Sequence, residues 1–269
     1  MRLRNVWMFG LSVAVAASVS ACGGSQETPA TETAAPAAAA TSNSPVDATT
    51  AADVKGTVTI EGPVPANTPI KMNADPICAR QADGPQMMET YAVGADGTSL
   101  GNVFVYVKDG LGSNLVFEPP TTPARIDQKD CRYHPHVFGI QVGQPLEIVN
   151  SDPTLHNIHA VARNNREFNN GQPIQNMKTT HTFTAAEVMV PFKCDVHGWM
   201  NAFVGVMTHP FYAVSDASGA FSLKGLPAGT YTIEAWHEKL GTLTQSVTVG
   251  PKESKDITFA FKASAASAN

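Results

Sequence analysis

Short apolar runs of strand length recur through the chain at 56–60, 103–107, 138–142, 146–149, 188–191, 202–206, 220–223, 231–235, 246–249 and 257–261. Turn residues separate them, such as Gly143-Gln144-Pro145, Asp216 to Gly219, and Leu226-Pro227-Ala228-Gly229. Runs of this length admit alternation between two faces and exclude long amphipathic helices. No long stretch has helical period, although a short helix fits within 73–81 or 163–178. The pattern predicts an all-β protein built of sandwiches. The net charge is −5 and no basic run occurs, so nothing suggests a nucleic-acid partner.

The ends differ in texture. Arg2 and Arg4 precede an apolar segment over 6–19 that is too short and too rich in small residues to span a bilayer well. It closes on Val19-Ser20-Ala21-Cys22, which resembles a bacterial lipoprotein signal. The resemblance implies a signal peptide over 1–21, cleavage before Cys22 and lipidation of that cysteine; the alternative is an ordinary secretory signal. Gly23, rather than Asp, follows, which in Gram-negative lipoproteins favours the outer membrane. The expected location is periplasm or cell surface, with the membrane met only through the anchor. Residues 22–53 are Ala, Thr, Pro and Ser and bury too little apolar surface to order, so they read as a flexible linker. Residues 263–269 read as a disordered tail.

One stretch carries chemistry: Cys194-Asp195-Val196-His197-Gly198-Trp199-Met200. A thiolate, an imidazole and a thioether lie close together, and with a second imidazole they form the set that selects copper in electron-transfer sites. Structural zinc is the rival, but a thioether is a poor zinc ligand. The second imidazole is offered by Leu155-His156-Asn157-Ile158-His159. Side chains three apart on a strand face opposite ways, so at most one of His156 and His159 aims at Cys194.

The spacing Cys194, His197, Met200, together with His156-Asn157-Ile158-His159, resembles the cupredoxins in their short-loop, amicyanin-like form. The resemblance implies a Greek-key sandwich over 111–208 and a mononuclear type 1 copper held by His156, Cys194, His197 and Met200. Met200 rather than Met189 or Met207 would be the axial ligand. Asn157 would hold the Cys194 loop, and His159 would point away. The ring edge of His197 would be exposed in an apolar patch that Trp199 could join. A redox partner such as a c-type cytochrome or a dehydrogenase would dock there. No second copper motif and no triad pattern occurs, so an electron carrier rather than an enzyme is expected. Copper storage or delivery, and an adhesive lipoprotein with a non-functional metal site, are the alternatives. His134 and His136 read as surface or partly buried histidines, His181 as an exposed strand residue, and the polar stretch 160–180 as a surface connection.

After 208 the texture repeats in another key. Ala213 to Leu223 and Leu226 to Trp236 resemble the carboxypeptidase regulatory-like domain, which implies a prealbumin-like β-sandwich over 209–262 with a structural or adhesive role. Gly56-Thr57-Val58-Thr59-Ile60 has the form of that module's opening strand. Residues 54–110 are therefore either the first half of a split sandwich or an N-terminal extension of the copper domain. The chain has four cysteines. With Cys22 lipidated and Cys194 a ligand, Cys78 and Cys131 remain, and an oxidising compartment favours their disulfide over two free thiols.

Overall fold

The computed structural model describes residues 45–263. The signal 1–21, Cys22, the linker through residue 44, and residues 264–269 lie outside the described residues. In chain order the strands are β1 (Ala52–Glu61), β2 (Ala92–Val93), β3 (Leu100–Gly101), β4 (Phe104–Asp109), β5 (Ala124–Lys129) and β6 (Arg132–His134). Then come β7 (Val137–Gln141), β8 (Pro145–Asn150), β9 (His156–Ala160), β10 (Phe168–Gln172), β11 (Met177–Thr182) and β12 (Glu187–Lys193). The last six are β13 (Asn201–Met207), β14 (Tyr212–Val214), β15 (Ala220–Leu226), β16 (Gly229–His237), β17 (Gly241–Val249) and β18 (Ser254–Lys262). A short helix α1 (Pro76–Gln81) follows one 3-10 turn.

Four main sheets form two sandwiches. One sandwich pairs β15-β1-β18 with β14-β4-β16-β17. Its core includes Val54, Val58 and Ile60 from one sheet and Val105, Ile233 and Ala235 from the other. The second pairs β10-β9-β12-β13-β7 with β11-β8-β5-β6. Its core includes Ile126, Leu146, Ile148, Phe192, Ala202 and Val204. The first sandwich is non-local: β1 runs antiparallel to β15 and parallel to β18, and β4 pairs with β14 and β16.

Two strands read as nearly continuous apolar runs because both of their faces are buried, the expectation for inner layers of a stack. On β4, Val105 and Val107 face the first core, whereas Phe104 and Tyr106 join Val137, Met189 and Met207 in a third cluster. On β13, Ala202, Val204 and Val206 face the second core, and Phe203 and Met207 face the third cluster. The sandwiches therefore meet sheet to sheet across Phe104 and Tyr212. Gly139 and Gly205, directly paired between β7 and β13, supply the flat ground for those rings: a Cβ at either position would overlap them.

A polar bridge crosses the same junction. His136, just before β7, contacts the carbonyl of Asn201 at 3.1 Å through Nδ1 and the carboxylate of Glu238, just past β16, at 2.6 Å through Nε2. Burial alone would lower the pKa of His136, but the hydrogen bond and charge of Glu238, with Glu89 further off, outweigh it and raise the pKa above the ordinary 6.5. The stabilisation from this pair is therefore complete below pH 6.5 and is lost as pH rises through the higher folded value. Across that window the wild type should lose more stability with rising pH than Glu238→Gln does, the difference being the share of this pair. Equal pH dependence of the denaturant midpoint in the two proteins would contradict the assignment.

Candidate metal centre

The ligand-bearing loop is a closed turn on the β12–β13 hairpin, whose last paired residues are Lys193 and Asn201. The amide of Cys194 donates to the Met200 carbonyl at 3.1 Å, and the Met200 amide donates to the His197 carbonyl at 2.9 Å. Inside the turn, the His197 amide donates to Cys194 Sγ at 3.3 Å. Asn157 reaches across from β9: its Oδ1 accepts the Asp195 amide at 2.8 Å and lies 3.2 Å from Cys194 Sγ. Asn157 thus holds the loop at its second residue.

His156 is placed by a second turn. The side chain of Asn150, at the end of β8, donates to the carbonyls of Thr154 and Gln172 and accepts the Asp152 amide at 3.0 Å. An asparagine bonding its own backbone two residues on is the local chemistry that ends a strand in a tight turn. His156 then opens β9 opposite Gln172.

These pieces meet at one end of the second sandwich. The ligand atoms of His156, Cys194 and His197 all lie within 4.8 Å of one another. The two Nδ1 atoms are 2.9 Å apart, and Cys194 Sγ is 3.9 Å from His197 Nδ1. All three residues are buried, at 0%, 2% and 3% exposure for His156, Cys194 and His197.

Behind each imidazole stands a carboxylate. Asp152 Oδ2 accepts from His156 Nε2 at 2.8 Å and from the Cys131 amide at 2.8 Å. Its Oδ1 accepts from the Asp130 amide and from Gln81 Nε2. Asp130 and Cys131 both have φ of 54°, so this carboxylate also holds the left-handed turn of the β5–β6 hairpin. Asp75 Oδ2 accepts from His197 Nε2 at 3.0 Å and from Thr154 Oγ1 at 3.0 Å, and its Oδ1 caps α1 at the Ile77 and Cys78 amides. Burial raises the pKa of both carboxyls, but these hydrogen bonds outweigh it and hold both below the ordinary carboxylate value. An ionised carboxylate only accepts. Each ring therefore carries its proton on Nε2 and, when neutral, turns the Nδ1 lone pair inward. Two lone pairs facing at 2.9 Å repel unless a cation lies between them.

The thiol is matched to the same task. Burial raises the Cys194 pKa, but the His156 and His197 side chains beside it and the backbone groups of Asn157 and His197 overcome this and lower it to about 6. For His156, burial lowers the pKa, while Asp152 and Cys194 raise it above its ordinary value. A thiolate and two inward nitrogens in a closed pocket are a donor set that copper fits.

The other expected residues fall as follows. Met200 is buried in the cluster that contains Cys194, whereas Met189 and Met207 belong to the junction cluster with Phe104. His159 lies outside the convergent set; its ring contacts Asp195 at 2.9 Å and Glu167 at 2.5 Å. The Cys78–Cys131 disulfide is present, with Cα atoms 5.6 Å apart. His181 stacks on Phe168 at 3.9 Å between ring centroids.

Two expectations are corrected. The edge of His197 is not exposed, because Asp75 and the segment carrying Cys78 cover it; Cys78 Sγ lies 3.8 Å from Nε2. Trp199 is not a free patch residue: its Nε1 donates to the Cys131 carbonyl at 2.9 Å. The carboxylates Asp75 and Asp152, which bond the outer nitrogens of the two rings, are groups that reading for ligands alone misses. Asp75-Pro76 is nevertheless a helix-start signature, and Asp152 sits four residues before His156.

No curated protein matches the chain. Solved structures similar to part of it include a copper-containing nitrite reductase from Thermus scotoductus SA-01, 19% identical over 38% of this chain with a TM-score of 0.31. That match spans only 26% of the nitrite reductase chain. A purple cupredoxin from Nitrosopumilus maritimus is 23% identical, over 31% of this chain and 98% of its own, with a TM-score of 0.27. A Cu(I) form of an amicyanin variant is 20% identical, over 39% of this chain and 98% of its own, with a TM-score of 0.29. Residues 201–262, from the start of β13 to the end of β18, match the carboxypeptidase regulatory-like domain family.

Proposed function

We propose that the protein is an exported, lipid-anchored electron carrier with one type 1 copper held by His156, Cys194 and His197, and Met200 as weak axial ligand. The observation that carries this reading is the convergence of two inward Nδ1 atoms and one thiol, each pinned from behind. Copper bound there would take up and release a single electron. The chain's part is to hold the donors in one arrangement for both oxidation states. The His197 amide steadies the Cys194 sulfur, Asn157 holds its loop through the Asp195 amide, and the two carboxylates fix the rings. The burial of all three donors argues against delivery, which needs ligands free to exchange. Met200 is preferred as the axial group because Met189 and Met207 pack in a different cluster.

Export and lipidation rest on Val19-Ser20-Ala21-Cys22, and the Cys78–Cys131 disulfide suits an oxidising compartment. With the His197 edge covered, the exposed apolar side chains next to the ligands in sequence are Leu155 and Val196. A redox protein, such as a c-type cytochrome or a dehydrogenase, would dock on them.

The choice between the two histidines of β9 is tested by paired variants. His156→Ala should lose the visible copper band, and His159→Ala should keep it nearly unchanged, because the His159 ring is committed to Asp195 and Glu167. Bleaching by His159→Ala with colour retained in His156→Ala would reverse the assignment.

A further inference from the structure

The segment that covers His197 is tied in from several sides. The disulfide joins α1 to the β5–β6 hairpin, Gln81 donates to Asp152 at 2.8 Å, and Thr154 donates to Asp75 at 3.0 Å. Met72 packs with both bridged cysteines and Trp199. The one ionised group this segment presents to the centre is Asp75, on the far nitrogen of His197.

We propose that Asp75, carried on this disulfide-anchored cover, is a positioning residue that fixes the His197 ring and biases the centre toward its oxidised form. The inference rests on the copper reading above. A carboxylate accepting the outer N–H of a ligand imidazole fixes its tautomer and raises its basicity. Its negative charge also favours the more positive metal state, and the Asp75 side chain is only 17% exposed, so water screens it in part. Asp152 does the same for His156, so the two rings are matched from both sides. The covering segment adds a second effect: it closes the route by which solvent or a chelator would reach the centre past His197.

Three variants separate the two roles. Asp75→Asn removes the charge and one of the two acceptor oxygens: with its remaining oxygen on the Ile77 and Cys78 amides it keeps the cap of α1, and with it the covering segment, but no longer accepts from His197 Nε2. It should leave copper release to a chelator within about twofold of wild type. It should raise the reduction potential by the equivalent of about a tenfold loss of Cu(II) over Cu(I) preference, roughly 59 mV for one electron. Asp75→Ala should show the same rise and should also release copper about tenfold faster. The double variant Cys78→Ala, Cys131→Ala, with Asp75 intact, should release copper faster with a smaller change in potential. An unchanged potential in both Asp75 variants, on protein that is blue and folded, overturns the proposal. If wild-type protein never turns blue with Cu(II), the copper reading itself falls, which is a distinct result.

Discussion

Cys194→Ser protein, folded and given Cu(II), should show none of the intense visible absorption expected of the wild type. The colour of a type 1 site comes from charge transfer between thiolate sulfur and copper, and a serine hydroxyl near neutral pH supplies neither sulfur nor a stable anion. The substitution removes little else. Ser is close to Cys in shape, the site is buried, and a hydroxyl can still donate to Asn157 Oδ1, now 3.2 Å from the sulfur. The loop retains the Cys194–Met200 backbone hydrogen bond. Far-ultraviolet circular dichroism and the thermal midpoint should therefore stay near wild type while the band vanishes. A persistent band would move the sulfur ligand elsewhere. Among the described residues the only other cysteines are joined in the disulfide, so such a result would leave the account without a thiolate.

Phe104→Ala should be the most damaging single truncation, costing about 3–5 kcal/mol in denaturant unfolding. Phe104 has no solvent exposure, stacks on Tyr212 at 5.7 Å between centroids, and lies over Gly139 and Gly205. The two glycines have no side chains with which to refill the space, so the cavity stays open and adds to the lost burial. The reverse change, Gly205→Val, should also destabilise, by about 1–3 kcal/mol or more, because the new side chain overlaps the Phe104 ring. The copper band should move little in either variant, since Phe104 packs on the face of β13 opposite the Cys194 cluster. A loss below about 1 kcal/mol for Phe104→Ala would mean that the sandwiches do not depend on this junction.

Much of this architecture is legible in the chain, because period-two patterning is a local signal. All ten apolar runs lie on strands or overlap them, and α1 falls within the segment 73–81. The region 163–178 carries a weaker signal. It offers Asn and Gln where a strand should alternate, yet β10 forms there, with Gln172 buried against Gln128 and bonded to the Ile148 carbonyl. Polar side chains that satisfy one another inside a sheet leave no hydrophobic period to read. The buried outer faces of β4 and β13 are likewise visible only as unbroken apolar runs, which do not say what covers them.

The site divides in the same way. Cys194, His197 and Met200 are a local motif, and the His156 segment is a second one. What closes the site is not local. Asp75 lies 122 residues from the His197 it bonds. Nothing in the residues around either of them announces the contact, so resemblance alone leaves the ring edge open. Only the disulfide pairing, which the sequence does suggest, hints that the Cys78 segment lies near the hairpin holding Cys131.

The most direct test of the copper assignment is the visible spectrum of the intact, disulfide-bonded protein after one equivalent of Cu(II). The account predicts an intense band that appears on mixing, disappears on reduction and returns on reoxidation. Protein that stays colourless, with Cys194 still reactive toward alkylation in the presence of copper, would contradict it.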